Sequence, residues 1–246
     1  MTDINQLKLL KGDPIKLEVC NVYPLTLNEV SGIGEDTYNS YLSVLMTDKS
    51  IFSEHVLTLE ERKDVDSLTA FNVIVLNCDR ILDFRFLFCQ ALLFFLREEV
   101  TYHQSGCFFI GELSEGRVID ENVFSSIKLI IKKQNYLQDR QGKDFKPAND
   151  KAKDLIEQMK QIKGKLQKQN KEEGLSLSDI VSIVSAYSHD INILSIWDLT
   201  IYQIYEQYLR LIMWDNYHSN FTLIPHVSDN KSLDLKHWTT KIDLKN

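Results

Sequence analysis

The stretch from Asn192 to Trp214 constrains this chain most. Read at helical spacing, Trp197, Ile201, Ile204, Tyr208 and Leu211 fall along one face. Tyr202, Tyr205, Leu209, Ile212 and Met213 widen that face, and Gln203, Glu206, Gln207 and Arg210 leave only a narrow polar strip. A helix apolar on most sides must be surrounded by other elements. The stretch therefore predicts a buried central helix, with Asp198 or Thr200 accepting the free N–H groups of its first turn. On that expectation, Trp197→Ala costs about 3–5 kcal/mol.

The rest of the chain supplies elements to surround it. Ile15 to Val19 alternates apolar and charged residues, the pattern of a half-buried strand. Thr26 and Glu29 have the spacing of a capping box at a helix start. That helix is expected to stop at Gly32 and Gly34, and a second one carries Tyr38, Tyr41, Leu42 and Leu45 on one side. Residues 48–66 read as a charged loop with a short helix near Leu59 to Lys63. Leu68 to Leu76 fits a helix or a buried strand equally well. Asp79 to Val100 predicts a helix with Leu82, Phe86, Cys89, Leu93 and Leu96 on its inner stripe, thickened by Phe84, Phe88, Phe94 and Phe95. Cys107 to Ile110, a turn over Gly111 to Gly116, and Arg117 to Asp120 give a hairpin. A helix then starts at Asp120 or Asn122, turns Val123, Ile127, Ile130 and Ile131 inward, and ends near Asn135.

The composition changes near residue 138. These patterns predict a mostly α protein with a minor β component (α+β). Residues 1–137 form an N-terminal α+β module, 138–149 a linker, and 150–246 a C-terminal helical module. The linker is polar, with Gly142 and Pro147. Residues 150–171 read as a charged helical arm whose apolar residues, Leu155, Met159, Ile162 and Leu166, are spaced as the narrow seam of a coiled coil. From Lys143 to Glu173 there are nine lysines against six acidic residues. Such a helix is marginal alone in water, so something must cover the seam. The helices after Ser178 and a partner are both candidates, and the coiled-coil spacing favours a partner or a second copy. After the arm, Asp179 to Tyr187 predicts a short helix, and Asp215 begins a loop.

The residues offer little to catalysis. None of the six histidines lies three or four positions from another, so zinc has no local support. There is no phosphate-binding glycine loop, no nucleophile elbow and no cofactor motif. His189–Asp190 reads as a polar helix end. A net charge of −7 argues against a general nucleic-acid surface. The four cysteines are far apart, which fits a reducing compartment. The opening residues do not resemble a signal peptide. The richest apolar run, Ile81 to Leu96, is interrupted by Asp83 and Arg85 and falls short of the roughly 20 residues a membrane span needs.

Three segments resemble a known group of proteins when taken together. One runs from Val22 to Val30 and on through Ile33–Gly34 and Tyr38 to Leu42. Another is the hairpin and helix of 107–135. The third runs from Ile196 to Tyr205, through Asp215 to Tyr217, and closes in His237 to Ile242. They resemble tail-module proteins of phages that infect Gram-positive bacteria, either tail-assembly-chaperone-like or baseplate-hub-like. The resemblance implies a non-enzymatic role through contacts with other phage tail or baseplate proteins, in the virion tail or in the host cytoplasm during assembly. It carries over no catalytic residues; no cofactor is expected, and charge and hydropathy leave nucleic acid and membrane out of the expected partners. The expected partner-binding residues are Leu155, Met159, Ile162 and Leu166, with self-association through the arm as one form of it. Two other readings stay open on the residues alone. One is an enzyme with a dispersed active site, which needs a polar pocket with converging titratable groups. The other is a DNA-associated regulator, which needs a basic stripe.

Overall fold

The computed structural model describes residues 4–47, 68–103, 106–112, 114, 116–137, 175–223 and 237–240. The expected linker, the arm of 150–171 and the loop of 48–66 lie outside the described residues. Among the described residues the fold is mostly helical with two small antiparallel sheets. Helix α1 (Gln6–Lys11) leads into strands β1 (Ile15–Lys16) and β2 (Asn21–Val22), which pair with each other. The expected strand at 15–19 is thus a two-residue arm of a hairpin.

Helix α2 (Leu27–Ile33) starts on the expected capping box. Thr26 Oγ1 accepts from Glu29 N–H (3.2 Å), and the Glu29 carboxylate accepts from Thr26 N–H (2.8 Å). Gly32 lies inside this helix. Gly34 ends it at φ 83°, a backbone state that costs glycine little because it has no Cβ. Helix α3 (Glu35–Met46) follows, with Tyr38, Leu42 and Leu45 buried as expected.

The region expected as a strand or helix followed by a long helix is two helices, α4 (Ala70–Arg80) and α5 (Leu82–Leu96), broken at Ile81, whose backbone is extended. Helix α5 is the element the core surrounds. Phe88, Ala91, Leu92, Phe95 and Leu96 have no solvent exposure. Their spacing makes one broad stripe, as a core-facing helix requires. Of the expected stripe Leu96 is buried, as are Phe88 and Phe95 beside it, but its first members are at the surface: Leu82 is 70% exposed and Phe86 68%. On a helix apolar nearly all round, two stripes compete at the same period, and only the neighbours decide which turns inward.

Arg97 ends α5 in the left-handed conformation (φ 58°), so the helix stops before Val100. Its guanidinium holds the Glu29 carboxylate at 2.5 Å and lies 4.5 Å from the centre of the Tyr23 ring. The C-terminus of α5 is thereby tied to the start of α2. The freed residues form strand β3 (Val100–His103), which pairs with the expected hairpin of β4 (Cys107–Ile110) and β5 (Val118–Ile119) in the order β3-β4-β5. Helix α6 (Glu121–Gln134) is capped by Asp120 and buries Ile127, Ile130 and Ile131. Phe71, Phe88, Phe108 and Phe124 form an aromatic cluster that joins α4, α5, β4 and α6, with ring centres 5.0 to 6.1 Å apart. Tilted pairs of this kind add to simple burial.

Helix α7 (Leu177–Tyr187) starts on a capping box of Ser176 and Asp179. A short 3-10 turn (Ile196–Asp198) precedes the long helix α8 (Ile201–Leu223). The predicted central helix therefore begins later than expected and continues through the residues expected as a loop after Asp215. Ile201, Tyr202 and Ile204 are buried, but Trp197 is 38% exposed and its indole N–H donates to Ile193 O at 2.7 Å. Trp197 lies outside α8, so it does not anchor the helix. In denaturant unfolding, Ile204→Ala is expected to cost about 2–5 kcal/mol through the cavity it leaves. Trp197→Ala is expected to cost about 1 kcal/mol or less, as surface changes do. Equal losses would contradict this burial pattern.

Candidate partner-binding surface

Helix α8 is held firmly at its start. Thr200 Oγ1 accepts from Gln203 N–H (3.3 Å), and the Gln203 side-chain oxygen accepts from Thr200 N–H (2.8 Å). The Gln203 amide also donates to Leu10 O of α1 (2.8 Å). The backbone beside this cap pairs with the start of α2. Leu27 N–H donates to Leu199 O (3.0 Å), and Ile201 N–H donates to Leu25 O (2.9 Å).

The next turn is fixed by a buried polar contact. The Tyr136 hydroxyl donates to the carboxylate of Glu206, and Arg210 lies 3.7 Å from the same carboxylate. The Tyr136 ring packs on Tyr202 and Tyr205, with centres 4.8 and 5.8 Å away. Tyr136 sits in the left-handed region at φ 54°, which costs a bulky residue about 1–2 kcal/mol. Ring packing and the Glu206 contact offset that cost. Burial raises the Tyr136 hydroxyl well above its ordinary pKa, and its bond to Glu206 raises it further. Burial likewise raises Tyr38, whose hydroxyl donates to Asn135 Oδ1 (2.7 Å).

Beyond Arg210 the helix leaves the core. Trp214 and Phe221 are exposed, Phe221 by 58%. Tyr217 stacks on Phe221 (6.1 Å), Trp214 packs on His218 (4.4 Å), and Tyr187 of α7 meets Trp214 edge-on (5.8 Å). A turn at His237–Thr240 lies against this face, with His237 4.8 Å from Tyr217. Between the turn, α7 and α8 is an open cavity of about 210 Å³, lined by Val184, Ser188, Gln207, Arg210, Leu211, Trp214 and Trp238. The loop before α8, at the other end of that helix, has exposed apolar side chains of its own, Ile193, Leu194 and Trp197. The features beyond Arg210 make an aromatic, weakly charged surface continuous with a rigidly held helix. Aromatic residues of this kind dominate protein interfaces.

A second apolar surface lies at the start of α5. Leu82 and Phe86 border a cavity of about 580 Å³ that also has Asp83, Arg85, Cys89, Thr101 and Tyr102 in its walls. The Tyr102 hydroxyl donates to Asp79 (2.7 Å), and Arg85 faces the Tyr102 ring at 5.6 Å. Among the described residues no group of three or more His, Cys, Asp or Glu is placed to hold a metal. No helix among them is long and apolar enough to cross a membrane. His189 and Asp190 are exposed beyond the end of α7.

The expected partner-binding residues Leu155, Met159, Ile162 and Leu166 lie outside the described residues. The distal face of α8 was missed because its residues were assigned partly to the core and partly to a loop. The signal was present in the run Trp214, Tyr217, His218 and Phe221, which has helical spacing but no apolar partner stripe.

Two predictions follow from the buried groups. Tyr136→Phe leaves Glu206 without its hydroxyl donor and should lower stability by about 1–3 kcal/mol. Chemical denaturation checks this, and an unchanged midpoint would show that the contact contributes nothing. The second concerns alkaline pH. Burial pushes the thiols of Cys20 and Cys89 up to about 11, and that of Cys78 to about 12, from an ordinary 9.0. The unfolded chain then loses these protons first. The stability from the protonated thiols is complete below pH 9 and is lost as pH rises through 11 to 12. The raised tyrosines act in the same direction. Thermal melts should fall steeply above pH 9 and be flat just below it.

Residues 167–243 match the domain family described as YomV second domain. This segment covers less than half of the chain and contains α7, α8 and the His237–Thr240 turn. No curated protein and no solved structure matches the chain. The family takes its name from a Bacillus phage-associated protein, and the likeness is confined to this segment.

Proposed function

We propose that this chain is a non-enzymatic phage tail or baseplate protein that works by binding other tail proteins. Its place would be the virion tail, or the host cytoplasm while tails assemble. The observation that carries this reading is the division of α8. Its first half is locked into the core by Thr200, Ile201, Ile204 and Glu206. Its second half presents Trp214, Tyr217 and Phe221 outside the core, within the segment that matches the domain family. A helix held at one end and aromatic at the other is a rigid anchor for a partner, which keeps the ordering cost of binding low.

The partner chemistry that suits this face is an apolar protein surface. The described side chains from Leu211 to Phe221 include one acidic group, Asp215, and no Lys or Arg. The arm of 150–171, with Leu155, Met159, Ile162 and Leu166, would supply a second contact or a self-association seam. The resemblance to tail-module proteins supports the same reading, and the domain match supports its phage part.

The test is a pair of double variants introduced into the phage. Trp214→Asp with Phe221→Asp should leave the purified protein folded, with a stability change within about 1 kcal/mol. It should sharply reduce assembled tails, because each aromatic anchor lost from an interface costs about 2 kcal/mol or more. Ile162→Asp with Leu166→Asp asks the same of the arm. Normal tail yield from both would overturn the proposal. Mass spectrometry of purified virions then separates a permanent tail part from a transient chaperone.

A further inference from the structure

Helices α7 and α8 are joined to the earlier elements at several points. Leu177 N–H, in the first turn of α7, donates to the Glu35 carboxylate at the start of α3 (3.0 Å). Tyr136 holds Glu206 and packs on Tyr202 and Tyr205 of α8. Gln203 reaches Leu10 O of α1, and the Thr26–Thr200 bridge joins the starts of α2 and α8. The apolar side chains follow the same plan: Ile180, Ile201 and Ile204 belong to the same buried cluster as Val22, Leu45 and Ile131. The chain between α6 and α7 also begins and ends at one place. Tyr38 of α3 donates to Asn135 (2.7 Å), just after α6, and Glu35, which accepts from Leu177, lies one turn earlier on the same helix. Residues three apart on a helix are neighbours on its surface. Residues 138–174 therefore leave the fold and re-enter it beside one turn of α3.

We propose that the described residues of 4–137 and those of 175–223 form one cooperative folding unit, and that residues 138–174 are an excursion this unit does not need in order to fold. Few contacts cross a boundary between domains. Here buried polar and apolar contacts reach α7 and α8 from α1, α2, α3 and the end of α6. The segment that matches the domain family, 167–243, is then not self-standing in this chain. Alone, it would expose Ile201 and Ile204 and leave Glu206 without its hydroxyl donor. A buried carboxylate that loses a donor is costly. This inference concerns the fold alone and holds whatever the chain binds.

The tryptophans make this testable in the full chain, because all three, Trp197, Trp214 and Trp238, lie after residue 175. Phe88 lies before residue 137, in the aromatic cluster of α4, α5, β4 and α6. Phe88→Leu, and more strongly Phe88→Ala, should lower the urea midpoint read by tryptophan fluorescence as much as the midpoint read by far-ultraviolet circular dichroism. Coincident transitions are the mark of a single cooperative unit. A fluorescence midpoint that stays at the wild-type value while the dichroism midpoint falls would overturn the proposal. A second variant replaces residues 138–174 with about ten Gly and Ser residues, which reach up to about 33 Å when extended. Closing a shorter loop costs less entropy, so this variant should keep one transition at or above the wild-type midpoint. Loss of the fold, a lower midpoint or a split transition would overturn the proposal. None of these readings involves a partner, so the tail-assembly variants decide the contact surface separately.

Discussion

Two backbone hydrogen bonds decide what the C-terminal part of this chain can do. They run between residues 25–27 and 199–201 and set the starts of α2 and α8 side by side. Both starts are capped by a threonine with a reaching partner three residues on, Glu29 in one and Gln203 in the other. Each cap satisfies donors that a helix terminus would otherwise leave open. Because the two are paired, the first turns of α8 enter the same core as α5 and α6. The direction of α8 is then fixed, and its remaining turns must extend past the core.

That geometry explains why the aromatic residues of one helix divide into two populations. Tyr202 and Tyr205 meet Tyr136 and the polar end of α6, where Glu206 has its donor. Trp214, Tyr217 and Phe221 come later; among the described residues Trp214 meets Tyr187 at the end of α7, Tyr217 meets His237 of the turn, and Phe221 stacks on Tyr217. Glu206 and Arg210 mark the border: a carboxylate buried on one side and a guanidinium reaching outward on the other. Burying an unpaired carboxylate would be costly, so the tyrosine donor is part of what holds this border in place.

The parts of the fold legible in the sequence were those with local chemistry. The Thr26–Glu29 box, the Asp120 cap and the turn between β4 and β5 each satisfy neighbouring backbone groups, so they can be read from a few residues. The two stripes of α5 could not be separated, since both have helical period and only the surrounding α3, α4 and β3 choose between them. Strand β3 was hidden because Arg97 stops α5 through distant partners, Glu29 and Tyr23. Trp197 was placed in the core because it continues the apolar pattern of α8, yet the chain turns before the helix begins. The distal surface was illegible for a related reason: an aromatic residue at helical spacing has the same pattern whether it is covered or not.

The central claim is that α8 is locked in its first half and open for contact in its second. Amide exchange along residues 204–223, compared between the free protein and the assembled tail, tests it most directly. The account predicts slow exchange through residue 209 in both states, and fast exchange from 214 to 221 that becomes slow on assembly. Uniformly slow exchange along the whole helix in the free protein, or no added protection of 214–221 in the tail, would contradict it.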